Sequence, residues 1–147
     1  MTILWGSLES TCVVALGKLA GYSDTLDVRI IILTAHANFQ QRVDAISALC
    51  ENLAPDFPGL ADYEQVVKQL KAAQRTRNKF AHNPITLNEE TGDINITYAT
   101  ARGSLKLHLE PVYLNDIKEA SAKIHEAICS LHSLISGTKT VPLWERT

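Results

Sequence analysis

The sequence lacks the features of disulfide-bonded, secreted and membrane-spanning proteins. Its three cysteines, Cys12, Cys50 and Cys129, are odd in number, widely spaced and free of any CxxC pair, and each lies among apolar residues. The longest apolar run, from 28 to 33, contains Arg29 and is far too short to cross a bilayer. No basic segment precedes an apolar one at the N-terminus. We therefore expect reduced cysteines in the core of a cytoplasmic protein with no membrane association.

Several common catalytic motifs are absent as well. The chain contains no GxxxxGK[ST], GxGxxG, HExxH or GxSxG, so nucleotide hydrolysis, dinucleotide chemistry and serine hydrolysis lack support. It has 14 Lys and Arg against 16 Asp and Glu, a formal charge of -2. That balance excludes coating of nucleic acid by bulk electrostatics, so any phosphate binding must come from a local patch.

The composition is that of one soluble globular domain. Of the 147 residues, 46% are apolar and 20% charged, which is enough for a sizeable core and excludes a disordered chain. There is no internal repeat, low-complexity tract or linker. We predict a single domain over 1–147, with an extended C-terminal tail over 138–147. Trp5 and Trp144, near the two ends, are interpreted as packing or interface residues.

Four stretches place apolar residues at helical spacing. Gly21 is a natural stop for the first helix, and Ser23-Asp24-Thr25 supplies N-cap candidates for the second. The second helix is predicted to run without a break, with Ile32 and Phe39 on its buried stripe. The predicted helices are Leu4–Ala20, Asp27–Leu53, a third from about Asp62 to the Asn83-Pro84 stop, and Leu114–Ser136.

Between the last two helices, apolar and polar residues alternate, which is the period of a β-strand. The alternation runs through Ile85 and Leu87, and Thr91-Gly92-Asp93 and Arg102-Gly103 are turn signals. These observations predict a small antiparallel meander of two or three strands at about 85–110. The predicted fold is therefore mainly α, an antiparallel four-helix bundle with this meander inserted between helices three and four.

The end of the third helix carries an arginine on its apolar face. At 100° per residue, Arg77 lies about 20° from Val66 and about 20° from Leu70, whereas Arg75 lies roughly opposite Val66. An inward guanidinium is costly unless it is paired or lies at a cleft or interface. Arg77 is therefore either a structural arginine bonded to a core carboxylate or to helix-end carbonyls, or part of a site.

His82 lies where this helix must stop, next to unpaired carbonyls that favour an imidazolium. It either caps those carbonyls or transfers protons. The segment from Gln65 to Asn88 contains no acidic residue. A run of one sign is commonly a solvated face, but it also suits a phosphodiester. Its basic residues are Lys68, Lys71, Arg75, Arg77 and Lys79.

The segment Arg77-Asn78-Lys79-Phe80-Ala81-His82 resembles the R-(polar)-x-x-x-H signature of the HEPN superfamily, the higher eukaryotes and prokaryotes nucleotide-binding domain. In that family the motif lies late in a long helix of a helical bundle, and Asn is a common residue after the Arg. The resemblance in layout covers roughly Leu8 to Ile135. It implies a metal-independent endoribonuclease without a cofactor, often in a toxin–antitoxin or phage-defence system with a cognate antitoxin or defence protein as partner.

The resemblance assigns roles to individual residues. Arg77 would stabilise the phosphate, His82 would transfer protons with the ribose 2′-hydroxyl as nucleophile, and Asn78 would orient one of them. We predict that Lys71, Arg75 and Lys79 bind the RNA substrate. The spacing of Arg77 and His82 leaves them about 140° apart on one helix. We therefore expect them to converge poorly in one protomer and to form a composite site in a homodimer.

Two alternatives remain open, and the sequence departs from the family pattern at one position. Many HEPN members have no nuclease activity, so a non-catalytic dimeric module that binds a partner protein or nucleotide fits the same residues. Pro84 stands where some family toxins carry a Tyr that a nucleotidyltransferase modifies, so the sequence does not support that partnership. His125, Cys129 and His132 lie within about 60° on the last helix. They form either a metal site or, in the reading we prefer, an ordinary helix edge, since no fourth ligand is evident.

Overall fold

A computed structural model describes residues 1–24, 27–100 and 103–146. Within these ranges the fold is mainly α with one three-stranded antiparallel sheet between the last two helices, which confirms the predicted class. Short 3₁₀ turns occur at Pro58–Leu60 and Leu143–Glu145. The helices are α1 (Thr2–Leu19), α2 (Val28–Thr34), α3 (Phe39–Leu53), α4 (Tyr63–His82) and α5 (Leu114–Ser136), and the strands are β1 (Ile85–Leu87), β2 (Ile94–Thr100) and β3 (Lys106–Pro111).

The first helix ends as the sequence predicts. Gly21 has φ +84°, in the left-handed region that glycine enters at little cost. Its N–H donates to the carbonyl of Lys18, and the N–H of Tyr22 donates to the carbonyl of Gly17, both at 3.0 Å. This pair of bonds is a Schellman motif. It satisfies two carbonyls that the helix end would otherwise leave unpaired.

The prediction of one helix from Asp27 to Leu53 is wrong. The chain leaves helical geometry after Thr34 and starts again at Phe39. Asn38 causes the restart through a capping box, in which its side chain accepts from the Gln41 N–H at 2.9 Å and its own N–H donates to the Gln41 side chain at 2.8 Å. Ile32 is consequently 66% exposed instead of lying on the buried stripe.

The cap of α2 also differs from the prediction. Its N-cap is Asp27, whose carboxylate accepts from the Arg29 N–H at 2.8 Å and pairs with the Arg29 guanidinium. Of the predicted candidates, Ser23 and Asp24 do not cap the helix, and Thr25 lies outside the described residues. The contacts between Asp27 and Arg29 hold the first turn of α2 and set its start at Val28.

The long helices α1, α3 and α5 run in the same direction. Leu19, Leu53 and Ser136, at or near their C-terminal ends, line one cavity of about 630 Å³. At the opposite end, the ring of Trp5 in α1 lies 4.5 Å from the ring of Phe39, the first residue of α3. Leu4 of α1 and Ile117 near the start of α5 line a cavity together, so the N-termini of all three helices lie at this end of the molecule.

Helix α4 runs opposite to these three. Asp62, its N-cap, lines a cavity with Leu134 near the end of α5, so α4 begins where α5 finishes. The expectation of strictly antiparallel neighbours therefore fails for α1 with α3 and for α1 with α5. The reason is the short α2, which runs back along α1 with Ile30 packed closely on Gly17.

The core lies between α1, α3, α4 and α5. Contacts join α1 to α3 and α5, and α4 to α3 and α5. The apolar stripes that the sequence predicts for α1, α4 and α5 supply most of the buried side chains. The largest that are fully buried are Leu8, Cys12, Val43, Ile46, Cys50, Leu70, Ile96, Ile124 and Leu131.

The sheet has the order β1-β2-β3 and follows the predicted meander. Ile96 is fully buried and pairs with Ile85 and Glu110. Because paired residues share a face of the sheet, Leu107 and Leu109 lie on the opposite, outer face. Of the turn signals, Gly92 has φ +74°, and Arg102 falls outside the described residues.

The structure also bears on the cysteines and on membrane-spanning helices. The cysteines are buried and unbridged, and burial raises the pKa of the Cys12 thiol to about 12. They are therefore core residues, as predicted. Among the residues that the structure describes, no helix is both long and apolar enough to cross a membrane.

Candidate active site

The candidate site is the C-terminal end of α4, which stops where the sequence predicts. His82 is the last helical residue, and Asn83 has left helical geometry with φ -105° and ψ 138°, as a residue before proline tends to do. The Asn83 side chain donates to the carbonyl of Lys79 at 2.9 Å. That carbonyl is one that the helix end leaves free, so Asn83 and not His82 caps it.

The three predicted catalytic residues meet within one protomer. Nη1 of Arg77 lies 2.7 Å from Nε2 of His82 and 3.3 Å from Oδ1 of Asn78. The expectation that Arg77 and His82 converge poorly in a single chain is therefore wrong. Their separation along the axis is about 7.5 Å, and the long arginine side chain covers it by lying along the helix.

Only one hydrogen-bond direction is chemically possible for the contact between Arg77 and His82. A guanidinium has only donors, so Nε2 of His82 must accept the hydrogen bond from Arg77. This hydrogen bond requires the neutral imidazole with its proton on Nδ1. Its basic nitrogen thus points at the arginine instead of capping helix carbonyls with an imidazolium.

Arg77 makes a second contact, with the ring of Trp5. The guanidinium carbon lies 5.1 Å from the ring centroid of Trp5, within the range of a cation–π interaction. Trp5 is buried and rests on Phe39, which confirms its interpretation as a packing residue. Among the residues that the structure describes, Arg77 bonds to neither of the structural partners that we considered, a core carboxylate or a helix-end carbonyl. The sequence gives no signal for Trp5 in this role, because α1 and the end of α4 are remote along the chain.

The residues predicted to bind substrate are not grouped with this cluster. Arg75 is exposed, as its helix position predicts, and lines a cavity of about 280 Å³ between α4 and α5 together with Lys79. Asp116 and Glu119 line the same cavity, so its charge is mixed. Arg75 is about 160° from Arg77 around the helix, so the cavity and the cluster lie on different sides of α4.

Two of the predicted basic residues are paired within the chain. Nζ of Lys79 lies 2.7 Å from a carboxylate oxygen of Glu110 in β3, and this bond raises the pKa of Lys79 and lowers that of Glu110. Nζ of Lys71 lies 3.3 Å from Asp44 in α3. Substrate would have to compete with both carboxylates, although the Lys71 pair is exposed and therefore weak.

The helix directions place positive backbone charge near the cluster. Trp5 lies near the N-terminus of α1, and Phe39 begins α3, so the positive dipole ends of both helices lie at the end of the molecule where Arg77 is found, as does the negative C-terminal end of α4. Helix N-termini favour anions. The guanidinium and these two N-termini attract a negatively charged group, whereas the last carbonyls of α4 repel it.

The His125, Cys129 and His132 set has structural partners. Nε2 of His125 accepts from the Leu143 N–H at 3.1 Å and lies 3.8 Å from the Cys129 sulfur, and Nδ1 of His132 lies 3.0 Å from the Thr140 hydroxyl. No group of three or more His, Cys, Asp or Glu side chains suited to a metal occurs within the described ranges. His125 and His132 therefore bind the tail over 138–146 to α5 through hydrogen bonds.

Comparison with known proteins identifies no family. No family model matches the chain, and no solved structure matches it. Over 102 residues, or 69% of its length, the chain is 31% identical to a protein named chaperone SurA from Xanthomonas oryzae pv. oryzae. The chain spans about a fifth of the length of that relative, 21%.

Proposed function

We propose that the chain is a HEPN-like, metal-independent endoribonuclease that acts as a homodimer in the cytoplasm. The observation that carries this proposal is the 2.7 Å contact between Nη1 of Arg77 and Nε2 of His82. It joins an anion-binding fork and a neutral imidazole base at the end of the molecule where the N-termini of α1 and α3, which favour anions, also lie. Those are the groups that cleavage of RNA by its own 2′-hydroxyl requires.

The proposed reaction starts from the paired state. A phosphodiester oxygen binds Arg77 and draws the guanidinium away from His82, which frees Nε2. Nε2 then takes the proton of the 2′-hydroxyl, whose oxygen attacks the neighbouring phosphorus. The bond from phosphorus to the 5′-oxygen breaks, which gives a 2′,3′-cyclic phosphate and a 5′-hydroxyl end. Asn78, whose Oδ1 lies 3.3 Å from the same Nη1, keeps the guanidinium at the helix end when its contact with His82 is lost.

The second protomer has a specific task in this scheme. The departing 5′-oxygen must receive a proton, and the cluster of one protomer contains a single histidine. In a twofold dimer the second copy of His82 supplies that proton from its imidazolium form, in which Nε2 carries a proton and is not bonded to Arg77. The composite site thus arises from the need for an acid and a base, and no longer from poor convergence of Arg77 and His82.

The remaining parts of the proposal follow from the resemblance. Helices α1, α3, α4 and α5 correspond to the long helices of a HEPN four-helix bundle, within one domain over 1–147. A cognate antitoxin or another defence-system protein is the proposed partner in the cell. The similarity to a chaperone favours no activity here, because it covers about a fifth of that protein.

The test is cleavage of single-stranded and structured RNA in EDTA. We expect wild-type protein to leave cyclic phosphate ends, and Arg77→Ala and His82→Ala each to slow cleavage by roughly 10²-fold or more. His36→Ala, which alters an exposed histidine outside the motif, is the matched control and should cleave like wild type. No cleavage by wild type, or equal cleavage by all four proteins, contradicts the proposal.

The alternative is a non-catalytic HEPN-like module that binds a partner protein or nucleotide through the same end of the molecule. The contact of Arg77 with buried Trp5 favours it, because that contact gives the arginine a structural role without chemistry. In this case Arg77→Ala lowers the melting temperature or weakens dimerisation, while wild type and variants are alike in leaving RNA intact. Thermal melts and sedimentation beside the cleavage assay separate the two functions.

A further inference from the structure

Strand β3 has a free edge whose backbone groups can be identified. The Val112 N–H donates to the Ile94 carbonyl of β2 at 2.8 Å. Because such pairs alternate along an antiparallel ladder, residues 106, 108, 110 and 112 direct their backbone groups at β2. The N–H and C=O groups of Leu107 and Leu109 therefore point away from the sheet, and β3 is an edge in the described sheet order.

The same edge exposes apolar surface. Leu107 is 65% exposed and Leu109 is 58% exposed, side by side on the outer face, and Leu105 precedes them with 69%. A free edge with apolar side chains is a template for pairing with another strand, and proteins commonly blunt such edges. This edge contains a single proline, at its end, and no bulge interrupts its register with β2.

The sequence of the strand is complementary to itself. If two copies pair antiparallel with His108 opposite His108, then Lys106 lies opposite Glu110, and Leu107 lies opposite Leu109. The first match joins opposite charges and the second joins apolar side chains. Leu107 and Leu109 are also the residues whose backbone groups point outward, so they would exchange both hydrogen bonds. Centring the pairing on Leu107 instead places Lys106 opposite His108 and loses the opposite-charge pair.

We propose that β3 pairs with β3 of a second copy about a twofold axis at His108, which forms one continuous sheet across both copies. The interface deepens the homodimer of the proposed function and rests on that homodimer, not on RNA cleavage. Glu110 connects it to the candidate site, since its carboxylate holds Lys79, two residues from Arg77.

The test removes the outward donor without touching the β2–β3 ladder. Leu109→Pro deletes an N–H that would bond the second copy. Because both copies carry the substitution, the dimer loses two hydrogen bonds. We expect wild type to sediment as a dimer and this variant to raise the dimer dissociation constant at least ~10-fold. The matched control is Leu87→Pro in β1, an exposed leucine whose N–H also points outward, at the other edge. It should leave the dimer unchanged.

A charge variant tests the register. Lys106→Glu places two carboxylates opposite each other and should weaken the dimer, more so at low salt. Lys68→Glu, the same change at an exposed site on α4, should not. Thermal melts confirm that each variant is folded.

The outcomes separate the interface from the activity. A wild-type dimer that Leu109→Pro and Leu87→Pro affect equally overturns the β3 interface but leaves the proposed nuclease standing. A wild-type monomer that cleaves RNA overturns the interface and the proposed homodimer together. A dimer that dissociates only with the β3 variants supports the interface, whatever the cleavage assay shows.

Discussion

The guanidinium of Arg77 donates to Nε2 of His82 at 2.7 Å within one chain. Helical periodicity puts these residues about 140° apart, yet the arginine reaches along the helix axis to the terminal histidine. The pair therefore exists before any second copy arrives. In the proposed reaction, substrate has to replace the histidine as the partner of Arg77, so the contact keeps the base occupied until a phosphate binds.

The first prediction concerns Trp5, the platform under Arg77. Trp5 is 7% exposed, so Trp5→Ala removes a large buried side chain and should lower the free energy of unfolding by about 3–5 kcal/mol in urea titrations. Trp144→Ala is the control, because Trp144 is 56% exposed and its loss should cost under ~1 kcal/mol. Similar losses for both tryptophans would show that Trp5 is not a core residue.

The second prediction concerns the start of α3. Asn38→Ala removes the acceptor of the 2.9 Å bond from Gln41 and should destabilise the protein by about 1 kcal/mol. Asp62→Ala is matched to it, since Asp62 is the N-cap of α4 but makes no side-chain capping bond. Chemical denaturation of both variants measures the difference. An Asp62→Ala loss as large as that of Asn38→Ala would contradict the assigned cap.

The third prediction concerns pH and the start of α2. Hydrogen bonds from Arg29 lower the pKa of Asp27 from 3.8 to about 2. Because the folded state favours the charged carboxylate, the stabilisation is fully present above about pH 5 and is lost as the pH falls through 3.8 towards 2. Asp27→Asn keeps an acceptor for the Arg29 N–H but carries no charge.

Melting temperatures of wild type and Asp27→Asn between pH 6 and pH 2 check this linkage. Wild type should melt higher at pH 6, and the difference should shrink towards pH 2. A difference that stays constant over that range would mean that the Asp27 charge contributes nothing to folding.

Much of the fold could be predicted from local signals. Helices α1, α4 and α5 carry uninterrupted apolar stripes and end at Gly21, Asn83-Pro84 and Gly137, where glycine geometry or proline sterics dictate the stop. The strand alternation also predicted the meander. The break before α3 had a signal too, the Asn38-x-x-Gln41 capping box, but the apolar stripe on both sides of it favoured a continuous helix.

The candidate site was also predicted in part, in its helix faces but not in its ion pairs. Periodicity predicted that Arg75 faces solvent while Arg77 faces inward. In the structure Arg75 is exposed, and Arg77 is half-buried over the ring of Trp5. Periodicity did not predict that Lys79 pairs with Glu110 or that Asp44 faces Lys71, since these partners lie on other elements. Arg75 and Lys79 consequently line a cavity on another side of α4, away from the cluster to which the sequence assigned them.

The sequence by itself determined where most helices and strands begin and end, and that Arg77, Asn78 and His82 share one helix end, because backbone geometry repeats over a few residues. Only the tertiary structure decided that α1, α3 and α5 run in the same direction, that Trp5 lies under Arg77, and that Arg77 meets His82 directly. These relationships depend on how the short α2 returns the chain and on the reach of individual side chains. Neither leaves a periodic trace in the sequence.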